Sequence, residues 1–206
     1  MTEFATHTTA TKILHVAADL FMQRGYKAVS ITDIINAADI TKPTLYYHFA
    51  DKEEVYVRMG EQMLADLHER FEAAKLGKAT FVEQLIAVTA VFMESKENDI
   101  SGMRRDMREH LSPTAQQRLT AAFFCHLFQP VHNLMLAGLE NGVIQRHTAP
   151  ELTWLFLGLT NAFSTSDESN SLRKHQLSGQ PTTISANTLV HLFLYGVATP
   201  QPAKGE

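Results

Sequence analysis

Cysteine is nearly absent from this chain of 206 residues: Cys125 stands alone. No intrachain disulfide can form, and a reducing, cytoplasmic setting fits. Runs of roughly eighteen apolar residues are missing as well, so no membrane-spanning helix and no membrane partner are expected. The first ten residues, MTEFATHTTA, lack the basic, apolar and small-residue order of a signal peptide and read as a flexible arm over 1–10. Excess positive charge is also lacking. The net charge is −4, and residues 1–60 carry six basic against seven acidic side chains, so composition alone does not point to nucleic acid. Nor does the sequence hold the marks of an enzyme: no paired carboxylates, no Ser/His/Asp set and no glycine-rich phosphate loop. The ten histidines, His126 and His132 among them, do not fall at the i, i+4 spacing of a helical metal site. Cys125 and His126 are sequence neighbours and point to different faces of a helix, so they form no dyad, and Cys125 reads as structural. Catalytic and metal-ligating residues are therefore expected to be none.

What is present is helical periodicity from end to end, without one convincing strand alternation, and the fold class expected is all-α with about nine helices. Ile13, Leu14, Ala17, Leu20 and Phe21 lie on one face of a first helix over 11–24, which Gly25 stops. Ser30 with Asp33 caps a short second helix; Asp39-Ile40 turns the chain; Thr41 caps a third helix with Pro43 in its first turn, where a missing N–H costs nothing. Asp51 with Glu54 opens a long fourth helix over 52–75. Further helices are expected at 80–95, at 101–110, from Ser112-Pro113 to Glu140 with a kink at Pro130, at 149–165 and at 184–198, with a long polar connection over 166–183.

The informative stretch is Ser30 to Lys52. Leu20, Phe21, Tyr26, Ile31, Ile34, Ile35, Ile40, Leu45 and Phe49 can close a three-helix core, leaving one face of the third helix free. On it stand Lys42, Pro43, Thr44, Tyr46, Tyr47 and His48: donors, an aromatic pair and a cation on a helix of the size that enters a major groove. Exposed aromatic side chains on a short polar helix imply something that covers them.

Residues 11–58, above all Thr41-Lys42-Pro43-Thr44-Leu45-Tyr46-Tyr47-His48-Phe49 with Lys52 and the upstream Leu20-Phe21 and Gly25-Tyr26, closely resemble the helix-turn-helix domain of the tetracycline-repressor (TetR/AcrR) family. The resemblance implies a head at 11–58, a ligand-binding and dimerisation domain at 59–200 and a tail at 201–206. It implies that Lys42, Pro43, Thr44 and Tyr46 face bases, and that Thr41, Tyr47, His48, Lys52 and Thr32 hold phosphates. Its functional expectation is a repressor, released from a palindromic operator on double-stranded DNA by a small, largely apolar effector that the sequence does not identify. The alternatives are an enzyme using the helical cavity and a DNA-binding regulator without an effector.

Beyond the head, Met63, Leu67, Phe71, Val88, Phe92, Met103, Met107, Phe124 and Phe128 fall at helical spacing. They are candidates for an apolar ligand pocket, although core packing explains most such residues. The helices at 149–165 and 184–198 are apolar nearly all round. That pattern places Trp154, Leu157, Gly158, Asn161, Leu189, Leu192, Phe193 and Gly196 at a homodimer interface. Arg104, Arg105 and Arg108 form a small basic cluster that reads as solvated.

Overall fold

Neither proline nor glycine interrupts residues 2–24, and in the computed structural model the first helix, α1, runs Thr2–Ala28. The flexible arm expected over 1–10 is thus helical from Thr2: nothing in its sequence breaks a helix. Gly25 leaves the helical conformation at φ 76°, ψ 162°, as a glycine can, and turns the end of α1. The structure describes residues 2–94, 100–145, 147–163 and 184–196. The predicted connection over 166–183 and the tail at 201–206 lie outside them. Among the described residues there are ten α-helices and no strand: α1, α2 (Ile31–Ala38), α3 (Lys42–His48), α4 (Lys52–Lys75), α5 (Phe81–Glu94), α6 (Ile100–His110), α7 (Pro113–Phe123), α8 (Gln129–Glu140), α9 (Ala149–Phe163) and α10 (Ala186–Tyr195).

The single seventh helix predicted from 113 to 140 is two helices joined by a π-helical turn, Phe124–Phe128. Pro130 explains it. Its ring would strike the carbonyl of His126, four residues back, in a regular α-helix. The wider π turn, closed by the N–H of Gln129 on the carbonyl of Phe124, relieves that clash.

Packing divides the chain into two units, Met1–Arg70 with Glu97–Pro130, and Phe71–Lys96 with Val131–Glu206. In the first, the head core of Ile13, Ala17, Leu20, Phe21, Ile34, Leu45, Phe49, Val55 and Met59 does not close on itself. Leu111, Ala115 and Leu119, from the α6–α7 segment, complete it. In the second, α5 packs on α9 and α10. Phe71, Phe92, Phe156 and Phe193 form a chain of rings with successive centroids 4.8, 6.2 and 5.4 Å apart. Gly138 of α8 allows close contact there: a Cβ on it would stand 2.7 Å from the Phe81 ring and 2.8 Å from Ile144.

Candidate nucleic-acid interface

The α2–turn–α3 unit is built by short-range capping. Ser30 and Asp33 form a reciprocal capping box on α2: the hydroxyl accepts the N–H of Asp33 at 3.2 Å, and the carboxylate accepts the N–H of Ser30 at 2.7 Å. The Ser30 hydroxyl also donates to this carboxylate at 2.5 Å, and that bond first, then the Ser30 N–H, holds the Asp33 carboxyl below its ordinary range. Asp39 ends α2 in the left-handed conformation at φ 51°, a turn that aspartate tolerates. Thr41, in extended backbone, accepts the N–H of Thr44 at 3.3 Å, Pro43 sits in the first turn, and Phe49 turns extended to end α3 after seven residues. Only Leu45 of α3 is buried.

This anchoring leaves the rest of α3 outward. Thr41, Lys42 and Pro43 are exposed and Thr44 and His48 half-buried, while Tyr46 is 46% and Tyr47 76% exposed. Tyr47 meets the His48 ring edge-on at 5.0 Å, and the Lys42 ammonium lies 5.9 Å from the Tyr46 ring centroid. Thr32, on the first turn of α2, is exposed as well. Of the predicted contact residues, Thr32, Thr41, Lys42, Pro43, Tyr46 and Tyr47 are therefore open to solvent, and Thr44 and His48 are partly so.

Lys52 differs. The sequence reading gives it to a phosphate, but its ammonium donates to the carbonyls of Tyr26 and Val29, each at 2.9 Å, and lies 4.1 Å from the Tyr26 ring centroid. Burial lowers its pKa from the ordinary value, and the charge of Asp106 partly opposes the shift. Two of the three ammonium donors close the corner between α1 and α2, where orphan carbonyls need partners. Lys52 is first a bond within the head, and at most one donor remains for a phosphate.

Four of the acidic side chains of the head are similarly occupied, whereas Asp19 and Asp39 are exposed. Asp33 caps α2, Asp51 accepts the N–H of Glu54 at 2.8 Å, Glu53 binds Ser112, and Glu54 binds Arg118. The near-zero charge of the head is therefore an arithmetic sum over two kinds of position. Asp33, Asp51, Glu53 and Glu54 serve caps and the α7 segment, while Lys42 stays outward and forms no ion pair among the described residues.

The remaining expectations are redistributed. Met63, Met103 and Met107 pack against the head core, so their helical spacing records that packing. Leu67 is buried in the first unit, and there Phe124 and Phe128 flank the π turn with ring centroids 5.2 Å apart. Phe71, Val88 and Phe92 are buried in the second. At the predicted dimer face, Leu157 and Leu189 are buried within their own chain, and Phe193 packs edge-on against Phe156. Helical rotation turns Leu157 and Leu189 inward, while Phe193 is half-buried. Asn161 and Leu192 are half-buried, and Trp154, Gly158 and Gly196 are exposed. Sequence reasoning missed Leu155 and Tyr195, exposed at 60% and 66% beside Trp154 at 51%. It named Ser112 as a helix start but missed its bond to Glu53, and it missed Asp106, Arg118 and Gly60; their partners are remote in sequence, and only helix periodicity on α4 and α7 could have hinted at them.

Residues 13–59 match the family described as bacterial regulatory proteins, tetR family. The HTH-type transcriptional repressor KstR2 of Rhodococcus jostii (strain RHA1) is 29% identical over 136 residues, 65% of this chain and 64% of that protein. The chain thus aligns with less than two thirds of the length of this curated relative. Among solved structures, the transcriptional regulator FadR from Bacillus subtilis, in complex with stearoyl-CoA, superposes with a TM-score of 0.73 at 16% identity, over 91% of this chain and 99% of that one. The TetR family transcriptional regulator PfmR from Thermus thermophilus does so with a TM-score of 0.67 at 25% identity, again over 91% and 99%.

Proposed function

We propose, from the premise that this chain belongs through residues 13–59 to the tetR family of bacterial regulatory proteins, that it is a ligand-responsive repressor binding a palindromic operator as a homodimer. The observation that carries the reading is α3: seven residues, capped at both ends and anchored by Leu45 alone, with Tyr46 and Tyr47 turned to solvent. Lys42, Pro43, Thr44 and Tyr46 address base edges; Thr41, Tyr47, His48 and Thr32 address phosphates and set position. Head 11–58 and ligand-binding and dimerisation domain 59–200 is the functional division that goes with this reading.

Dimerisation is supported by Trp154, Leu155 and Tyr195, large apolar side chains exposed on α9 and α10. With Gly158 and Gly196 they form the proposed contact face. A dimer pairs two weakly charged heads on two half-sites and doubles their phosphate contacts. The effector is proposed to be small and largely apolar, meeting Leu67, Phe124 and Phe128 or the ring chain Phe71, Phe92; the same fold in FadR holds stearoyl-CoA. The curated relative is a repressor by name, which favours repression over catalysis.

Selection of bound sequences from a random DNA pool tests the reading, and a palindrome is the expected product. Tyr47→Phe weakens all sequences alike, whereas Lys42→Ala relaxes preference at one half-site position. Trp154→Arg converts the dimer to a monomer in sedimentation and abolishes palindrome binding. Recovery of no palindrome, or a monomeric wild type, overturns the proposal.

A further inference from the structure

The first turn of α4 sends three consecutive side chains to three different places. Lys52 closes the α1–α2 corner. Glu53 takes both the N–H and the hydroxyl of Ser112, the cap of α7, each at 2.7 Å. Glu54 takes the guanidinium of Arg118, the Nη1 bond being 2.5 Å. The same guanidinium binds Glu61 through Nε at 3.0 Å and Nη2 at 2.9 Å. Glu54 and Glu61 are seven residues apart, about two helical turns or roughly 10 Å. One arginine therefore spans two turns of α4. Arg58, the other cation on that face, reaches Glu61 only at 4.0 Å.

Gly60 lies between the two carboxylates on α4: a Cβ there would stand 2.7 Å from Leu119 Cδ2 and 2.9 Å from Met103 Cε, so those side-chain ends would have to give way. A further carboxylate, Asp106 of α6, accepts the N–H of Tyr26 at 2.8 Å, beside the Gly25 bend. The α6–α7 segment thus holds the head at Tyr26, at the start of α4, and two turns along α4.

We propose that Arg118 is a positioning residue, fixing the axial register of α4 against α7 and hence the pose of α3 for DNA; the inference rests on the repressor reading above. Leu111, Ala115 and Leu119 already supply apolar cohesion, but apolar packing is non-directional and lets a helix slide or turn. A forked guanidinium bonded to two carboxylates on one helix forbids both movements. The three side chains are about one-third exposed, so the network adds little stability while adding much direction. A shift of α6–α7 carries α4 with it through this bridge.

The test uses the full chain as Arg118→Met, Arg118→Lys and the double Glu54→Gln/Glu61→Gln, with the palindrome recovered from the random pool as probe. Three quantities are read: thermal midpoint, affinity for that palindrome, and amide hydrogen exchange over residues 31–49 without DNA. The expected result is a midpoint within a few degrees of wild type, affinity lowered roughly 5- to 30-fold in Arg118→Met and in the double variant, and faster exchange. Arg118→Lys, which keeps the charge and loses the fork, falls with them. Wild-type affinity and exchange in Arg118→Met overturn the inference, as does a collapse of the midpoint parallel to affinity, which marks a merely structural bridge. If wild type itself binds no selected DNA, the repressor reading fails, and hydrogen exchange alone still decides whether Arg118 positions the head.

Discussion

Replacing Lys52 with Met removes an ammonium and keeps most of its aliphatic stem. Two carbonyls, of Tyr26 and Val29, lose donors at 2.9 Å, and the Tyr26 ring loses a cation 4.1 Å from its centroid. A hydrogen bond to a charged group contributes about 1.5–3 kcal/mol, and a cation over an aromatic ring about 0.5–1 kcal/mol at a partly wet site. The corner is part-buried, so water replaces some of what is lost, and relief of the burial that lowers the Lys52 pKa offsets a further part. The net cost is about 2–3 kcal/mol, which for a chain of this size moves the thermal midpoint by roughly 5–10 °C. The assay is urea denaturation followed by far-ultraviolet circular dichroism, without DNA and at fixed protein concentration. Lys52→Arg should not restore stability fully, because a planar fork does not reproduce two converging bonds from one nitrogen. A Lys52→Met protein within about 0.5 kcal/mol of wild type refutes the argument and returns Lys52 to a purely phosphate-binding role.

Alanine at the two crowded helical glycines separates flexible from rigid surroundings. Gly138→Ala meets the Phe81 ring at 2.7 Å and should cost about 2–3 kcal/mol in the same denaturation assay, whereas Gly60→Ala meets the ends of Leu119 and Met103 and should cost about 1 kcal/mol after its gain in helix propensity. Equal stabilisation at both sites would show that neither contact is tight. Acid should weaken the fold through its capping boxes. Asp33 lies below its ordinary 3.8, chiefly by the Ser30 side chain; Glu83 and Glu151, which close reciprocal boxes with Thr80 and Thr148 at the starts of α5 and α9, lie below 4.5, chiefly by the N–H groups of Thr80 and Thr148 at 3.0 and 2.9 Å. The unfolded chain then binds more protons, so this stability is complete above the ordinary values and is lost as pH falls through the folded ones. Thermal midpoints should drop below about pH 4.5, and less steeply in Asp33→Asn/Glu83→Gln/Glu151→Gln; identical slopes would sink the assignment.

Features that depend on a few adjacent residues were legible in the sequence. The Ser30–Asp33 box, the Thr41 cap and the Asp39 turn are complete within four residues, and the structure has each of them. Partners far along the chain were not. Asp106 lies 80 residues from Tyr26, and Arg118 lies 64 and 57 residues from Glu54 and Glu61. No local pattern distinguishes an arginine that will bridge from one that will be solvated. Lys52 shows how a motif misleads: its position fits a phosphate contact, but carbonyls brought close by the fold claim it first. The kink expected at Pro130 appears as a π turn because the clash falls four residues earlier, on His126. Periodicity failed for Leu157 and Leu189, since a helix apolar all round does not say which side faces its own core.

The sidedness of charge in the head bears on how a repressor of the proposed kind would find its operator. Counted as a sum, the head is almost neutral; resolved in direction, Glu53 and Glu54 are turned to the α7 segment and Lys42 to solvent, with Asp19 and Asp39 also exposed. A duplex repels a chain of net charge −4 in most orientations and favours those that lead with α3. With few phosphate contacts available away from the operator, each visit to random sequence is brief. Under the proposed repressor function, the search is a series of short, oriented collisions, with little sliding along the double helix, and its rate is governed by how often α3 arrives first.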